Sequence, residues 1–307
     1  MPDLKIEHKI ARLYYLEGFS QSAIAKKLSI SVASVSRALA RAKDAGIVQI
    51  TIAEPTDDFS GLETRLEKRF DIKECIITPS YEQEETSRRA MVGALADMLP
   101  RILPMHGTLG VSWGETMKAI ADGLSLPTPL EADVIPMVGA MGTVETGIYP
   151  NAIARVFAEK LGGRAFLVNA PAVNDRKEMT EDLYRSRSFS SVREIWERID
   201  VALVGCSGIG LEASMARNSI FTPDDMEALR SEGAVAAMNF SFLNGEGLPV
   251  HGDVADRILH IPLDQMKSFE HVVLIASGRA KVDAIRAALT GGWITSLISD
   301  VDTATLI

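Results

Sequence analysis

Gln21-Ser-Ala-Ile-Ala-Lys-Lys-Leu-Ser-Ile-Ser-Val-Ala-Ser-Val-Ser-Arg37 is the stretch from which the rest of the chain is read. Ser20 just before it and Ser31 within it are helix-capping residues, whose side-chain oxygens accept from the unpaired N–H groups of a first turn. They divide the stretch into one helix from about Gln21 to Leu28 and another from Ser31 through Arg41 to Ala45, with Gly46 as its C-cap. Ile24, Ala25, Leu28, Ile30 and Val35 fall where two short helices packed at a steep angle need apolar or small residues, and Ala25 lets the partner helix cross closely. This is the spacing of a helix-turn-helix, which leaves the N-terminal face of the later helix free for a DNA major groove. The tight turn usually holds glycine; here it holds Ser29, at a cost of roughly 1 kcal/mol in the left-handed conformation.

Upstream, Ile6, Ile10, Leu13 and Tyr14 repeat with helical period and Gly18 stops them, so residues 5–17 read as a first helix. The expected DNA contacts are Gln21 at the start of the second helix and Ser31, Ala33, Ser34, Ser36 and Arg37 on the third. Arg37 is placed for a phosphate or a guanine. The competing reading is a plain three-helix bundle with solvated lysines, or one used for protein contacts. Beyond Gly46, Ile47-Val-Gln-Ile-Thr-Ile52 alternates like a strand, either a wing against the DNA backbone or a strand closing the small domain.

Charge separates this region from the rest. Residues 1–55 carry eight Lys and Arg against five Asp and Glu, a surplus of three, whereas the whole 307-residue chain has a net charge of −9. A basic end meets phosphate while an acidic body stays off DNA. Glu54-Pro-Thr-Asp-Asp58 is polar and contains proline, which puts the boundary between a DNA-binding domain at 1–55 and a second domain at 56–307. Ser60 is expected to cap the next helix, whose Leu62, Leu66 and Phe70 form a stripe for the body or for another subunit.

The remainder alternates short apolar runs with amphipathic helices, the pattern of an α/β fold with a Rossmann-like parallel sheet. Expected strands are 75–78, 108–111, 134–138, 165–168, 201–204, 257–261, 272–276 and 294–298; expected helices include 87–99, 152–161 and 281–289. In such sheets ligands bind beyond the carboxyl ends of the strands. Four glycine loops sit there. Gly110-Val-Ser-Trp-Gly-Glu-Thr116 offers Ser112, Trp113, Gly114, Glu115 and Thr116, with Trp113 a possible cover for a sugar face. Gly139 and Gly142 mark a second loop, Gly208 and Gly210 a third, and Ser277, Gly278 and Lys281 a fourth. Each alone is as well explained by an ordinary tight turn; together they point to an effector site.

Several functions are disfavoured. Cys75 and Cys206 are far apart, and the five histidines are scattered, so no metal site is expected. The start lacks signal-peptide features and apolar runs are too short for a membrane span, which points to the cytoplasm. Gly208-Ile-Gly-Leu-Glu-Ala213 resembles a dinucleotide fingerprint but lacks the following acidic residue, so no cofactor is expected. An enzyme acting on sugar phosphates, an isomerase or lactonase, is the alternative class. Only Glu115 and Glu145 lie near the loops as acid/base candidates, and there is no nucleophile elbow or phosphate-binding lysine loop.

The helix-turn-helix ending Ala45-Gly-Ile-Val, the Gly110–Thr116 loop, Val201-Ala-Leu-Val-Gly with its following glycines, Gly233-Ala-Val and Ala276-Ser-Gly-Arg-Ala-Lys-Val-Asp-Ala-Ile-Arg-Ala-Ala-Leu together resemble the SorC family of bacterial sugar-responsive transcription regulators. The resemblance spans nearly the whole chain. It implies a transcription regulator rather than an enzyme, with operator DNA and a phosphorylated sugar as partners and a homo-oligomer, a dimer or tetramer, as the binding form. It also implies that the loop of Ser112, Trp113 and Gly114 belongs to the effector site and that Lys281 reaches the ligand. Two departures bear on the ligand. The family's acidic residue after Gly-Ala-Val-Gly is Ala237 here, and a later aspartate is Asn244.

Overall fold

A computed structural model describes residues 4–48, 58–141, 147–210, 213–218 and 220–307. The chain divides into two compact units, Met1–Asp57 and Asp58–Ile307.

The smaller unit holds α1 (Leu4–Tyr15), α2 (Gln21–Leu28) and α3 (Val32–Asp44). Both serine caps form: Ser20 accepts from the Ala23 N–H at 3.2 Å and Ser31 from the Ser34 N–H at 3.1 Å. Ser29 takes the left-handed conformation, φ 54°, and its N–H closes the end of α2 on the Ala25 and Lys26 carbonyls. Gly46, φ 70°, follows the C-cap Ala45. Ile10, Leu13, Ile24, Val35, Ala38, Leu39 and Ala42 close the core. The first helix differs from its apolar pattern at one position. Ile6 is exposed, while Glu7 is buried and receives a hydrogen bond from the Arg41 guanidinium at 2.5 Å, so an ion pair ties α1 to the end of α3. The expected wing lies outside the described residues from 49 on.

The larger unit begins with α4 (Ser60–Phe70), β1 (Glu74–Thr78), α5 (Glu84–Ile102), β2 (Thr108–Val111), α6 (Glu115–Gly123), β3 (Asp133–Pro136), α7 (Pro150–Leu161), α8 (Lys177–Arg185), α9 (Ser190–Trp196) and β4 (Val201–Val204). It continues with β5 (Cys206–Gly208), α10 (Ser214–Arg217), α11 (Pro223–Ser231), β6 (Ala236–Met238), β7 (Ser241–Leu243), α12 (Leu263–Met266), β8 (His271–Ile275), α13 (Val282–Thr290), β9 (Ser296–Asp300) and α14 (Val301–Ala304). Six strands form a parallel sheet in the order β1-β9-β8-β4-β2-β3.

The sheet is covered on both faces. Along β4, Ala202 and Val204 join one core while Val201 and Leu203 join the other, and β8 alternates in the same way. A strand buried on both sides has no polar face, which is why these runs read as continuously apolar. Gly110 in β2 is required by packing, since a Cβ there would meet the Met137 sulfur at 2.8 Å.

Four expectations need correction. Ala165 pairs with Val134 only as a single bridge, so 165–168 is not a strand. Residues 257–261 run extended but divide their hydrogen bonds between two neighbours. The Leu259 N–H donates to Ala172, the Leu259 carbonyl accepts from Gly139, and neither ladder continues. Ser60 is the first residue of α4 rather than its cap, and its N–H donates to the Asp58 carboxylate at 2.8 Å. The short runs β5, β6 and β7 form a separate antiparallel sheet where a loop was expected after β4. Three-residue strands carry too little alternation to be read from sequence. The stripe on α4 packs on its own unit, with Leu66 buried and Leu62 and Phe70 half-buried against the core.

Candidate functional sites

From β2 the chain steps outward to β3, then returns across β2 to β4 and proceeds the other way to β8 and β9. The direction of winding therefore reverses between β2 and β4, and the loops leaving their carboxyl ends diverge to open a crevice. A cleft of about 1180 Å³ lies there. Its walls are the residues that follow β1 (Ser80, Tyr81), β2 (Ser112–Thr116), β4 (Gly205–Gly208) and β8 (Ser277–Lys281), together with Asp300 at the end of β9.

Ten of the expected effector residues line this cleft: Ser112, Trp113, Gly114, Glu115, Thr116, Gly208, Gly210, Ser277, Gly278 and Lys281. The Lys281 ammonium donates to the Thr116 hydroxyl at 3.3 Å, joining the first and fourth loops. Gly114 and Gly278 both have φ near 107°, which only glycine adopts without strain, and they turn each chain from its strand into the following helical segment. The Gly278 N–H donates to the Thr303 hydroxyl at 2.7 Å, which fixes the fourth loop to α14.

Two expected residues lie elsewhere. Gly139 is not in the cleft lining. A Cβ on it would come within 2.6 Å of the Ala172 backbone nitrogen, so close backbone packing accounts for this glycine. The Asn244 carboxamide oxygen accepts from the Glu246 and Leu248 N–H groups and closes the turn after β7. Gly142 and Glu145 lie outside the described residues. Gly208 ends an antiparallel strand rather than opening a helix, and the next residues of the fingerprint, 211 and 212, also lie outside them.

The structure adds residues that the sequence reading missed. Arg88 and Arg279 line the cleft with Lys281, opposed by Glu115, Asp300 and Asp302. Asn239 and Phe240, at φ 49° and 63°, connect β6 to β7 with Met238 opposite Ser241. Positive φ at both positions is the mark of a type I′ turn, whose second residue is normally glycine. Phe240 stands there instead, its ring stacked on Trp113 at 4.6 Å and edge-on to Phe221. The Asn239 amide N–H donates to the Met137 carbonyl, and its oxygen is the one buried side-chain polar atom among the described residues left without a partner. An Asn-aromatic pair between the apolar run Ala236–Met238 and Ser241-Phe-Leu243 was the available signal for this turn.

Cys206 also borders the cleft, but burial pushes its thiol up to about 12, far from the thiolate a nucleophile needs. Among the described residues no cluster of three or more His, Cys, Asp or Glu side chains is placed to hold a metal ion, and no helix is long and apolar enough to cross a membrane.

On α3 the exposed positions are Val32, Ala33, Ser36, Arg37, Ala40, Arg41, Lys43 and Asp44, with Ser34 half-buried; Val32, Ala33, Ser36 and Arg37 form the N-terminal part of this face and the charged Arg41, Lys43 and Asp44 its C-terminal end. The Ser31 hydroxyl is engaged as the cap and lies 2.8 Å from the Ser34 hydroxyl. The Arg37 Nε–H donates to the Ala33 carbonyl at 3.2 Å. Gln21 is half-buried at the first residue of α2.

Residues 54–307 match the Sugar-bind family, described as "Putative sugar-binding domain", and residues 8–45 match Sigma-70, region 4. The chain is 26% identical over 310 residues to the sorbitol operon regulator of Klebsiella pneumoniae, with 99% of this chain and 98% of that protein covered. The crystal structure of that full-length regulator, SorC, superposes with a TM-score of 0.76 over 100% of this chain and 99% of that one. The chain belongs to the SorC family. A second similar protein, the deoxyribonucleoside regulator of Bacillus subtilis (strain 168), is 28% identical over 300 residues, covering 96% of this chain and 94% of that protein. The SorC-family fold accounts for both features derived above: a helix-turn-helix, and a sugar-binding α/β unit with its cleft at the carboxyl edge of the sheet. This SorC-family chain is a DNA-binding transcription regulator controlled by a small effector, not an enzyme.

Proposed function

We propose that the effector is a phosphorylated sugar or polyol held in the cleft between β2 and β4, and that its binding alters the affinity of α3 for operator DNA. The observation that carries this reading is the Lys281–Thr116 contact, which sets a cation beside the N-terminus of α6. A helix N-terminus offers unpaired N–H donors and a partial positive charge, and a phosphate uses both even on an acidic protein. Trp113, backed by Phe240, supplies an apolar surface for the carbon face of the ligand. The printed names of the relatives, regulators of a sorbitol operon and of deoxyribonucleosides, fit such a ligand class.

In this reading the DNA contacts come from Gln21, Ala33, Ser34, Ser36 and Arg37, with Ser31 fixing the start of the recognition helix. Residues 1–55 read DNA, residues 56–307 bind effector and associate into a dimer or tetramer, and the regulator works in the cytoplasm. Paired half-sites explain the need for association, since one weakly charged helix-turn-helix has limited affinity.

A thermal-shift screen with sorbitol 6-phosphate, deoxyribose 5-phosphate and the matching free sugars tests the effector. A ligand at a hundredfold excess over its dissociation constant stabilises the native state by about 2.7 kcal/mol. Stabilisation by the free sugars in preference to their phosphates overturns the anion site.

A further inference from the structure

The exposed face of α3 is charged at its C-terminal end, where Arg41, Lys43 and Asp44 stand, and mainly hydrocarbon ahead of it. Of Val32, Ala33, Ser36, Arg37 and Ala40, three end in hydrocarbon, and Val32 at the first helical position is 48% exposed. The core of the smaller unit closes without it, through Val35, Ala38, Leu39 and Ala42. Of the hydroxyls around it, Ser31 caps the helix and lies 2.8 Å from the Ser34 oxygen, while exposed Ser36 stands one turn further on. At the first position of the helix the side chain that protrudes is therefore a branched hydrocarbon, with the polar Ser36 and Arg37 following it.

A recognition helix enters the major groove with its N-terminal residues against the base edges. In that groove the feature a hydrocarbon discriminates is the thymine 5-methyl group; the other edge groups are hydrogen-bond donors and acceptors, which an apolar side chain desolvates without repaying.

We propose that Val32 reads a thymine methyl in each operator half-site, supplying base discrimination about a turn and a half ahead of Arg37. The inference rests on the reading of α3 as the DNA-contacting helix, and its test separates the two.

An operator is selected from random duplexes with the full-length chain, and each thymine is then replaced in turn by deoxyuridine, which removes the methyl and leaves base pairing intact. At one position per half-site, deoxyuridine weakens wild-type binding about fourfold, the ratio for one methyl withdrawn from an apolar contact, and about fifteenfold when both half-sites are changed. Val32→Ala binds the thymine operator more weakly and no longer distinguishes thymine from deoxyuridine at that position, so the two changes are coupled. Val32→Ile keeps the preference. If Val32→Ala retains the wild-type ratio at every thymine, Val32 is not the reader and the inference falls, while selection of a defined operator still upholds α3. If no defined duplex is selected, and wild type and Arg37→Ala bind random DNA alike, the DNA-contact reading of α3 falls with it.

Discussion

The Lys281 ammonium and the Thr116 hydroxyl, 165 residues apart in the chain, meet at 3.3 Å in the lining of the cleft. Each belongs to a loop that leaves a different strand of the parallel sheet, β2 for Thr116 and β8 for Lys281, with β4 lying between them. The contact joins two glycine turns into one wall of the cleft, and in the proposed reading it sets the lysine's charge beside a ligand seated on α6.

Lys281→Met keeps much of the stem's packing and removes the charge. With a phosphorylated effector found by thermal shift, calorimetric affinity is expected to fall by about 1.5–3 kcal/mol, the worth of a charge-assisted hydrogen bond. Operator binding without effector should persist. Equal affinities for mutant and wild type would remove Lys281 from the site.

Arg37→Ala is expected to weaken operator binding without unfolding the chain, because the residue is exposed on α3 and its one hydrogen bond is to its own helix. If Arg37 contacts phosphate, the slope of log affinity against log salt falls by about one; if it contacts guanine, sequence preference relaxes at one position. A mutant with unchanged affinity and slope places Arg37 outside the interface.

The ion pair between Glu7 and Arg41 joins a buried carboxylate to a half-exposed guanidinium. Arg41→Ala strands the Glu7 charge in the core of the smaller unit and is expected to destabilise it by about 1–3 kcal/mol, whereas Glu7→Gln, which keeps an acceptor and removes the charge, costs less. Denaturant unfolding of the full-length variants orders the two; a larger loss for Glu7→Gln contradicts the argument.

Ser29→Gly acts in the opposite direction. Ser29 is exposed, and its left-handed φ of 54° is natural for glycine, so the substitution should raise the stability of the smaller unit by a few tenths to about 1 kcal/mol. A lower unfolding midpoint would show that the serine side chain contributes more than the strain it imposes.

Burial holds the imidazoles of His260 and His271 below the ordinary histidine range, with the charge of Lys73 adding to the effect at His271. The unfolded chain therefore binds more protons than the folded one once pH falls through about 6.5. Stability contributed by keeping these rings neutral is fully present above that range and is lost as pH falls below it. The thermal midpoint should drop between pH 7.5 and 5.5, and His260→Gln should flatten the dependence. An unchanged slope in the variant would assign the effect to other groups.

Much of this regulator was legible before any coordinates. Ser20 and Ser31 announce helix starts because capping is local chemistry, and Ile24, Val35 and Leu39 announce a core because helical period is local geometry. The strand at 201–204 was legible because burial on both faces excludes polar residues from it, and the one at 108–111 because only its first residue, Thr108, is polar and half-buried. The glycine loops were legible as loops, but their meeting was not. Which strand ends lie side by side depends on the order β1-β9-β8-β4-β2-β3, a property of long-range pairing that no local pattern carries. The same holds for Asn244, which resembles a ligand-facing position by sequence and is engaged by its own turn, and for Phe240, whose positive φ is tolerated because the tertiary packing seats its ring on Trp113. Sequence by itself determined the two kinds of domain and the chemistry available to each. Only the tertiary structure decided which of those groups share a site, because side chains far apart in the chain become neighbours through strand order and packing.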